Sequence, residues 1–96
     1  GVIFIFVMFK PRKLERVVKG FANHRRIQIL ELLDKKPGLS VFEIAEELGA
    51  NFKTISEHLR RLTISSLVFK RNRGSAVCHR LSEIGQNILK FLRTLE

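Results

Sequence analysis

The chain has 96 residues, which is enough for one folded domain with a modest core and too few for two. A hydrophobic fraction of 45% argues against general disorder, and the single cysteine, Cys78, excludes an intramolecular disulfide framework and suits the reducing cytoplasm where we expect this protein. The net charge of +9 favours an anionic partner.

The positive charge lies in two separate clusters. Residues 10–26 hold seven Lys or Arg and one Glu, and we call them the first basic cluster. Residues 51–80, the second basic cluster, hold the same numbers. The segment between them is acidic, and the last segment, 81–96, is neutral. Two clusters separated in this way favour a binding surface over an ordinary solvated face.

The N-terminal residues 2–9 read VIFIFVMF, a short apolar run of high β-propensity. The run is too short to span a bilayer and lacks the features of a signal peptide. We expect it to be buried, either in the chain's own core or across a dimer, or to precede the natural start. A membrane anchor assisted by the first basic cluster is the less favoured reading, because stable anchoring usually needs a second signal.

Two helices are predicted next. Pro11 suits the first turn of a helix over residues 10–21, whose apolar residues share one stripe: Leu14, Val17, Val18 and Phe21. Asn23 can cap a second helix that runs to about Asp34. Its apolar residues cover much of its surface, which predicts burial on more than one side: Ile27, Ile29, Leu30, Leu32 and Leu33.

Residues 39–62 predict two short helices joined by a tight turn. Ser40 and Glu43 have capping-box spacing, and Gly49 suits the end of the first helix, whose predicted apolar contacts are Phe42, Ile44, Ala45 and Leu48. The second helix, over residues 51–63, has one apolar stripe: Phe52, Ile55, Leu59 and Leu62. Its other face is polar and mostly basic. This pattern is typical of a helix-turn-helix unit, whose second helix enters the major groove of DNA.

A hairpin and a last helix complete the chain. Residues 67–71 and 76–81 predict two strands, and the turn 72–75 between them has a basic tip. Ser82 can cap a helix over residues 82–95 with a long apolar stripe: Ile84, Ile88, Phe91, Leu92 and Leu95. A stripe of this length favours a partner helix, although a small domain can also dock its terminal helix on its own core.

Three segments resemble the winged-helix transcriptional regulators of the ArsR type: residues 21–30, 44–49 and 53–62. The resemblance covers residues from about 20 to 92. The fold class that we therefore expect is mainly α with a small β-hairpin (α+β). It is a winged helix-turn-helix of five helices with a two-stranded wing between the fourth and fifth. We treat residues 10–96 as one DNA-binding domain with dimerisation helices at 10–21 and 82–95.

The resemblance implies a homodimer paired through the first and last helices, in which the 51–63 helix reads the major groove and the 67–81 wing lies along the DNA backbone. By position, the reading-helix residues are Asn51, Lys53, Thr54, Ser56, His58 and Arg61, and the wing residues are Lys70, Arg71, Arg73 and Arg80. The dimerisation residues are those of the two terminal stripes: Leu14, Val17, Val18, Phe21, Ile84, Ile88, Phe91, Leu92 and Leu95.

Three features of the chain depart from the family pattern. The metal sensors of the family carry a cysteine pair where this chain has Ser40, Val41 and Phe42, so their thiolate site is absent. Glu57 stands where a basic residue is common. It can accept from a cytosine amino group or, as we prefer, pair with Lys53 or Arg61 on its own helix. Ser66 stands where glycine is frequent, so we expect the turn into the wing to differ.

The chain shows no catalytic constellation. It has no Gly-rich phosphate loop, no nucleophile with a plausible base and no paired carboxylates of a cleft, so we expect neither an enzyme nor a cofactor. Cys78 and His79 are adjacent on a strand and point to opposite faces, which is poor geometry for one metal ion. We therefore expect no metal site, no redox role for Cys78, and a half-buried, hydrogen-bonded His79. His58 is interpreted as a DNA contact or a capping residue rather than a ligand.

The function predicted is a sequence-specific, double-stranded-DNA-binding transcriptional regulator. It would be a homodimeric repressor that reads a near-palindromic operator and covers a promoter. Base edges would be read by Lys53, Thr54 and Ser56, and phosphates would be bound by Arg60, Arg61, Lys70, Arg71 and Arg73. The alternative is a winged helix used for non-specific DNA packaging or for protein contact, and a third reading is a membrane-tethered regulator. The effector is not predicted.

Overall fold

Five helices and one hairpin form residues 10–96, the part of the chain that the computed structural model describes. The predicted segment 2–9 lies outside these residues. In chain order the elements are α1 (Pro11–Phe21), α2 (His24–Lys35), α3 (Val41–Leu48), α4 (Phe52–Ile64), β1 (Val68–Arg73), β2 (Ala76–Leu81) and α5 (Glu83–Arg93). The predicted winged helix-turn-helix order is confirmed, and the helix bounds differ from the predicted ones by at most two residues.

Polar caps fix the starts of four helices. The side-chain oxygen of Asn23 accepts from the backbone N–H groups of Arg25 and Arg26, which starts α2. Ser40 and Glu43 form the predicted capping box at α3, and Gly49 ends that helix with φ +60°. The remaining caps are Asn51 for α4 and Ser82 for α5.

Helix α2 is the centre of the core. Ile29, Leu30 and Leu33 are at most 1% exposed, because α3, α4, α5 and β2 all pack against this helix. The predicted burial of α2 on more than one side is confirmed. Around it the helices and the base of the hairpin bury one continuous cluster: Phe21, Ile44, Ala45, Ile55, Leu59, Leu62, Leu67, Val68, Leu81 and Leu89.

The hairpin is longer than the sequence predicted. β1 and β2 pair antiparallel from Val68 opposite Leu81 to Arg73 opposite Ala76, so residues 72 and 73, expected in the turn, belong to the ladder. Gly74, at φ +64°, and Ser75 make the turn. The strand pairing therefore extends two residues further towards the tip than predicted. The turn lies at Gly74 because this is the one glycine among residues 72–75, and it adopts a positive φ.

The segment formed by Gly38 and Leu39, just before α3, holds the hairpin against the helices. The N–H of Gly38 donates to the carbonyl of His79 at 2.9 Å, and the N–H of His79 donates to the carbonyl of Leu39 at 3.0 Å. This bridge covers His79, which is only 1% exposed and is thus fully buried rather than half-buried as predicted. The wing is therefore attached to the start of the helix-turn-helix as well as to the end of α4.

Two aromatic residues depart from their predicted burial. Phe52 has the helical spacing of the α4 stripe but is 55% exposed, because it lies on the first turn of α4 and the buried contacts begin at Ile55. Phe42 is 64% exposed, since α3 turns Ile44 and Ala45 to the core. Within residues 10–96, each helix lacks the length and the apolar composition required to cross a bilayer.

Candidate nucleic-acid interface

Helix α4 presents a polar face because its apolar residues fasten it to the core. Ile55, Leu59 and Leu62 are at most 2% exposed and lie on one side of the helix. The opposite side and its edges are open to solvent, and they carry Lys53, Thr54, Ser56, Glu57, Arg60 and Arg61. An exposed helix face with amino, hydroxyl and guanidinium groups can donate to both base edges and phosphates.

Asn51 differs from the other predicted reading residues. Its side-chain oxygen accepts from the backbone N–H of Thr54 at 3.1 Å, so this atom is committed to the N-cap of α4. The residue is exposed at the very start of the helix. Its primary role is therefore to set where α4 begins, and with it the position of Lys53 and Thr54.

A carboxylate gathers two of the cations on this face. Glu57 accepts from Arg60 through two bonds of 2.7 and 2.9 Å and from Arg61 at 3.3 Å. Its expected pairing with Arg61 is present, and Arg60 is an additional partner at i+3. The hydrogen bonds from Arg60 lower the pKa of Glu57 to about 2, with Arg61 adding to the effect. Glu57, Arg60 and Arg61 together therefore carry one net positive charge at neutral pH.

His58 is turned away from the polar face of α4. Its ring Nδ1 accepts from Nε of Arg26, on α2, at 3.1 Å, and the side chain is half-buried. Burial lowers the pKa of His58, and the charges of Arg26 and Arg25 lower it further. The imidazole is therefore neutral at pH 7, and it anchors α4 to α2 instead of offering a charge to DNA.

The wing carries cations on both of its faces. Arg71, Arg73 and Arg80 share one face with Phe69, and the guanidinium of Arg71 lies 5.8 Å from the centre of the Phe69 ring. Lys70 is on the other face, opposite His79. All four predicted wing residues are exposed.

A groove of about 330 Å³ separates the wing from α4. Ser56, Glu57 and Arg60 line one side of it, and Lys70 and Val77 line the other. The polar residues of α4 and one cation of the wing are therefore brought to a single surface, although they are ten or more residues apart in sequence. We call the exposed face of α4, this groove and the wing the reading surface.

Sequence reasoning did not assign a role to Arg26. Besides its bond to His58, its Nη1 donates to the backbone carbonyls of Lys19 and Gly20 at the end of α1, at 3.2 and 3.3 Å. One side chain thus connects α1, α2 and α4. Arg26 belongs to the first basic cluster and to the 21–30 segment that resembles the family, but neither signal reveals which cation is half-buried.

The residues predicted for dimerisation fall into three groups. Five keep between 43% and 65% of their surface exposed: Leu14, Val18, Ile84, Phe91 and Leu95. Val17, Ile88 and Leu92 are partly buried against the core. Phe21 is buried at 8% exposure in the chain's own core, so it is not available to a partner as predicted. The reason is that α1 ends against the rest of the domain.

The residues that the structure describes form neither a metal-binding cluster nor a pair of cysteines. Among residues 10–96, no three His, Cys, Asp or Glu side chains lie close enough to hold a metal ion. Cys78 is a free thiol, buried at 7% exposure, and its Sγ donates to the carbonyl of Arg71 at 3.4 Å. His79 uses Nδ1 to bond the carbonyl of Leu39 at 2.9 Å.

Comparison with known families and sequences gives a consistent picture. The family described as "Bacterial regulatory protein, arsR family" matches residues 23–68. The HTH-type transcriptional regulator KmtR of Mycobacterium tuberculosis is 35% identical over 66 residues, which are 68% of this chain and 49% of that protein. An uncharacterised HTH-type transcriptional regulator of Methanocaldococcus jannaschii is 34% identical over 68 residues, covering 71% of this chain and 76% of that protein. The chain spans about half the length of KmtR.

Solved structures agree with the sequence matches. The homodimeric winged helix-turn-helix DNA-binding domain of Mb0332 from Mycobacterium bovis, a possible ArsR-family transcriptional regulator, is 32% identical to this chain. Its fold superimposes with a TM-score of 0.80 over 88% of this chain and 78% of that one. The similarity includes both the helix-turn-helix and the flanking elements.

Proposed function

The chain belongs to the ArsR family of bacterial regulatory proteins, and from this membership we propose that it is a homodimer that binds a near-palindromic DNA operator. It is a transcriptional regulator of the winged-helix type and not an enzyme. In the proposed complex, α4 occupies the major groove and the wing lies along the backbone. Repression would follow because a bound dimer covers the promoter.

The observation that carries this proposal is the reading surface. Lys53, Thr54 and Ser56 are exposed on the first two turns of α4, the part of a recognition helix that meets base edges. Across the groove, Lys70 of the wing faces α4. On the other face of the wing, Arg71, Arg73 and Arg80 add exposed cations that suit phosphates. Base readout and phosphate contact are thus available from α4 and the wing together.

The exposed apolar residues support the dimer. Leu14 and Val18 on α1, and Ile84 and Phe91 on α5, expose large apolar side chains outside the core. Apolar residues on two terminal helices of a small domain favour pairing with the same residues of a second copy. A two-fold dimer would set its two α4 helices about 34–36 Å apart, matching half-sites one helical turn apart.

The deciding experiment is selection of bound duplexes from a random DNA pool at physiological salt. We expect a near-palindrome with half-site centres about one helical turn apart, bound at least about 10³-fold more tightly than random DNA. Binding without an enriched motif would contradict an operator-reading role and would favour non-specific packaging. No binding at any salt would leave protein contact as the function of the fold.

Two substitutions separate base reading from phosphate binding. Lys53→Ala should weaken binding to the selected operator by about 1–3 kcal/mol and change random-duplex binding less, because Lys53 would donate to base edges. Arg73→Ala is the matched control. It should weaken both duplexes alike and reduce the log–log salt slope by about 1, because its contact would be to phosphate. Equal losses for both variants on both duplexes, measured by fluorescence anisotropy, would contradict base reading by Lys53.

A further inference from the structure

The reading surface does not use the first basic cluster. That cluster contributes α1 and the start of α2, whereas the proposed base and phosphate contacts come from α4 and the wing. Folding nevertheless brings three of its cations, Arg16, Lys19 and Arg26, next to Arg61 of the second cluster. These four side chains line one open cavity of about 400 Å³ between α1 and the C-terminal end of α4, and we call it the basic pocket.

We propose that the basic pocket binds a phosphate group. The proposal deepens the proposed function where the phosphate belongs to DNA, and it stands alone where the phosphate belongs to a small molecule. The chemistry is the same in both cases: an oxyanion held by guanidinium and ammonium groups from α1, α2 and α4.

The pocket is built by a close contact between helices. A Cβ added to Gly20 would lie 2.1 Å from Oγ of Ser65, so glycine is what allows the end of α1 to approach the end of α4. Both residues also line the cavity. The distance between the two helix ends is therefore set by packing, and Arg16, Lys19 and Arg61 reach the cavity from exposed positions on them.

Arg26 is held in place before any ligand arrives. Its Nε and Nη1 donate to His58 and to the carbonyls of Lys19 and Gly20, and the side chain is half-buried. A guanidinium fixed in this way loses little side-chain freedom when it binds an oxyanion, which strengthens binding. Its acceptors in the protein are neutral, so its positive charge is left uncompensated.

Carboxylates are kept outside the pocket. Glu15 pairs with Lys19 at 3.5 Å and Glu57 with Arg61 at 3.3 Å, but neither lines the cavity. Within residues 10–96, Arg16 and Arg26 have no ion-pair partner. Lys19 is paired with Glu15, and Arg61 shares Glu57 with Arg60. With Arg16 and Arg26 unpaired, the cavity keeps a net charge of at least about +2, which suits a phosphodiester or a phosphomonoester at neutral pH.

The first experimental arm tests a DNA phosphate. Binding of a random duplex is measured by anisotropy between 50 and 300 mM salt for the whole chain and for the double variant Arg16→Gln/Lys19→Gln. Losing one phosphate contact should reduce the log–log salt slope by about 0.9 and the affinity at 150 mM salt about tenfold. The control, Arg12→Gln/Lys13→Gln, removes the same charge from α1 outside the pocket and should change the slope by less than half as much.

The second arm tests a free phosphate. The melting temperature is measured without DNA in sodium phosphate and in sodium chloride at equal ionic strength and pH. A phosphate site should raise the melting temperature of the unaltered chain and of the Arg12→Gln/Lys13→Gln control by a few degrees, and should raise that of Arg16→Gln/Lys19→Gln much less. Arg16 and Lys19 are exposed, so both double variants should fold and melt normally in chloride.

The two experimental arms distinguish a DNA phosphate from the phosphate of a small molecule. They also keep the test of the basic pocket separate from the test of the proposed operator binding. A slope change specific to the pocket variant supports a backbone phosphate, and a phosphate-specific rise in melting temperature supports a small phosphorylated ligand. Neither arm uses an operator, so failure to find an operator leaves this test intact. If the wild-type chain binds no duplex, the second arm alone decides. Equal behaviour of the two double variants in both arms would overturn the proposal.

Discussion

Ser66 adopts the left-handed backbone conformation, with φ +62°, at the turn that leads from α4 into β1. It is the one non-glycine residue between residues 10 and 96 with a positive φ. The conformation crowds a Cβ against the backbone and costs about 1–2 kcal/mol relative to glycine. The hydroxyl group of Ser82 donates a hydrogen bond to the backbone carbonyl of Ser66, which helps to hold the turn. The serine thus occupies a backbone geometry that glycine adopts without strain.

Ser66→Gly should therefore stabilise the protein. Relief of the strain exceeds the extra flexibility that glycine gives the unfolded chain, so we expect a net gain of about 0.5–1 kcal/mol in the free energy of unfolding. Urea denaturation measures it. Ser75→Gly, in a turn position without positive φ, is the control and should be neutral or destabilising. A loss of stability in Ser66→Gly equal to that of the control would contradict the argument.

His79 gives the fold a dependence on pH. Burial lowers its pKa, and the bond to the Leu39 carbonyl opposes this effect only in part. The unfolded chain, with a histidine pKa of about 6.5, therefore binds more protons than the folded one. The stability contributed by neutral His79 is fully present above pH of about 6.5 and is lost as the pH falls towards the lower folded pKa.

The free energy of unfolding should accordingly be smaller at pH 5.5 than at pH 7.5. His79→Gln keeps a donor for the Leu39 carbonyl but does not titrate, so the difference between the two pH values should shrink in this variant. The exposed His24→Gln is the control and should retain the wild-type difference. The comparison is between pH values within one variant, which removes any fixed cost of the substitution. An unchanged difference in His79→Gln would refute the role of His79.

At the scale of elements, one glycine, Gly85, allows α5 to pack closely against the segment that enters β1. A Cβ added to Gly85 would lie 2.2 Å from the backbone oxygen of Leu67 and 3.5 Å from a side-chain carbon of Leu81. The Leu67 oxygen already accepts from the N–H of Ser82 at 3.0 Å, so this backbone cannot move away without losing a hydrogen bond. The first turn of α5 therefore packs directly on the segment that enters β1.

Gly85→Ala should destabilise the domain by about 1–3 kcal/mol, because the overlap with backbone outweighs the higher helix propensity of alanine. The control is Gln86→Ala, at the next and exposed position of α5, which should be neutral or slightly stabilising. Thermal or urea denaturation distinguishes the two. If Gly85→Ala were as stable as Gln86→Ala, the close approach of α5 to Leu67 would be wrong.

At the scale of the molecule, the proposed dimer surface can be tested without altering the reading surface. Phe91 is 54% exposed on α5, and a charge at this position should break an apolar interface while leaving the monomer folded. Phe91→Glu should sediment as a monomer and bind the selected operator at least about tenfold more weakly, because binding of the two half-sites would no longer be linked.

Phe42→Glu is the matched control for the dimer. Phe42 is 64% exposed but lies on α3, whose main packing partners are α4, α2 and β2 and not the terminal helices. This variant should keep the wild-type sedimentation coefficient. A monomeric wild type, or a dimeric Phe91→Glu, would contradict pairing through α5.

Much of the fold could be predicted from local sequence because its signals are local. Asn23, Ser40 with Glu43, and Gly49 act on backbone groups within one helical turn of themselves, so their residue types alone mark the helix ends. The stripe formed by Ile55, Leu59 and Leu62 likewise follows from helical periodicity. The order of the elements followed from these patterns, and the family resemblance then assigned the candidate reading residues of α4 and the wing.

Contacts between distant segments were decided only by the tertiary structure. Arg26 bonds to His58, which lies 32 residues later in the chain. The 38–39 segment covers His79, about 40 residues away in sequence. Glu57 pairs with Arg60 as well as with Arg61 because of the geometry of the side chains. Phe52 and Phe42 fit an apolar pattern and are exposed, since periodicity gives the direction of a side chain but not where the core ends. The sequence thus determined which elements form and which carry charge. Packing alone decided which cations meet in one pocket, because that depends on a close approach of α1 to α4 which no local pattern encodes.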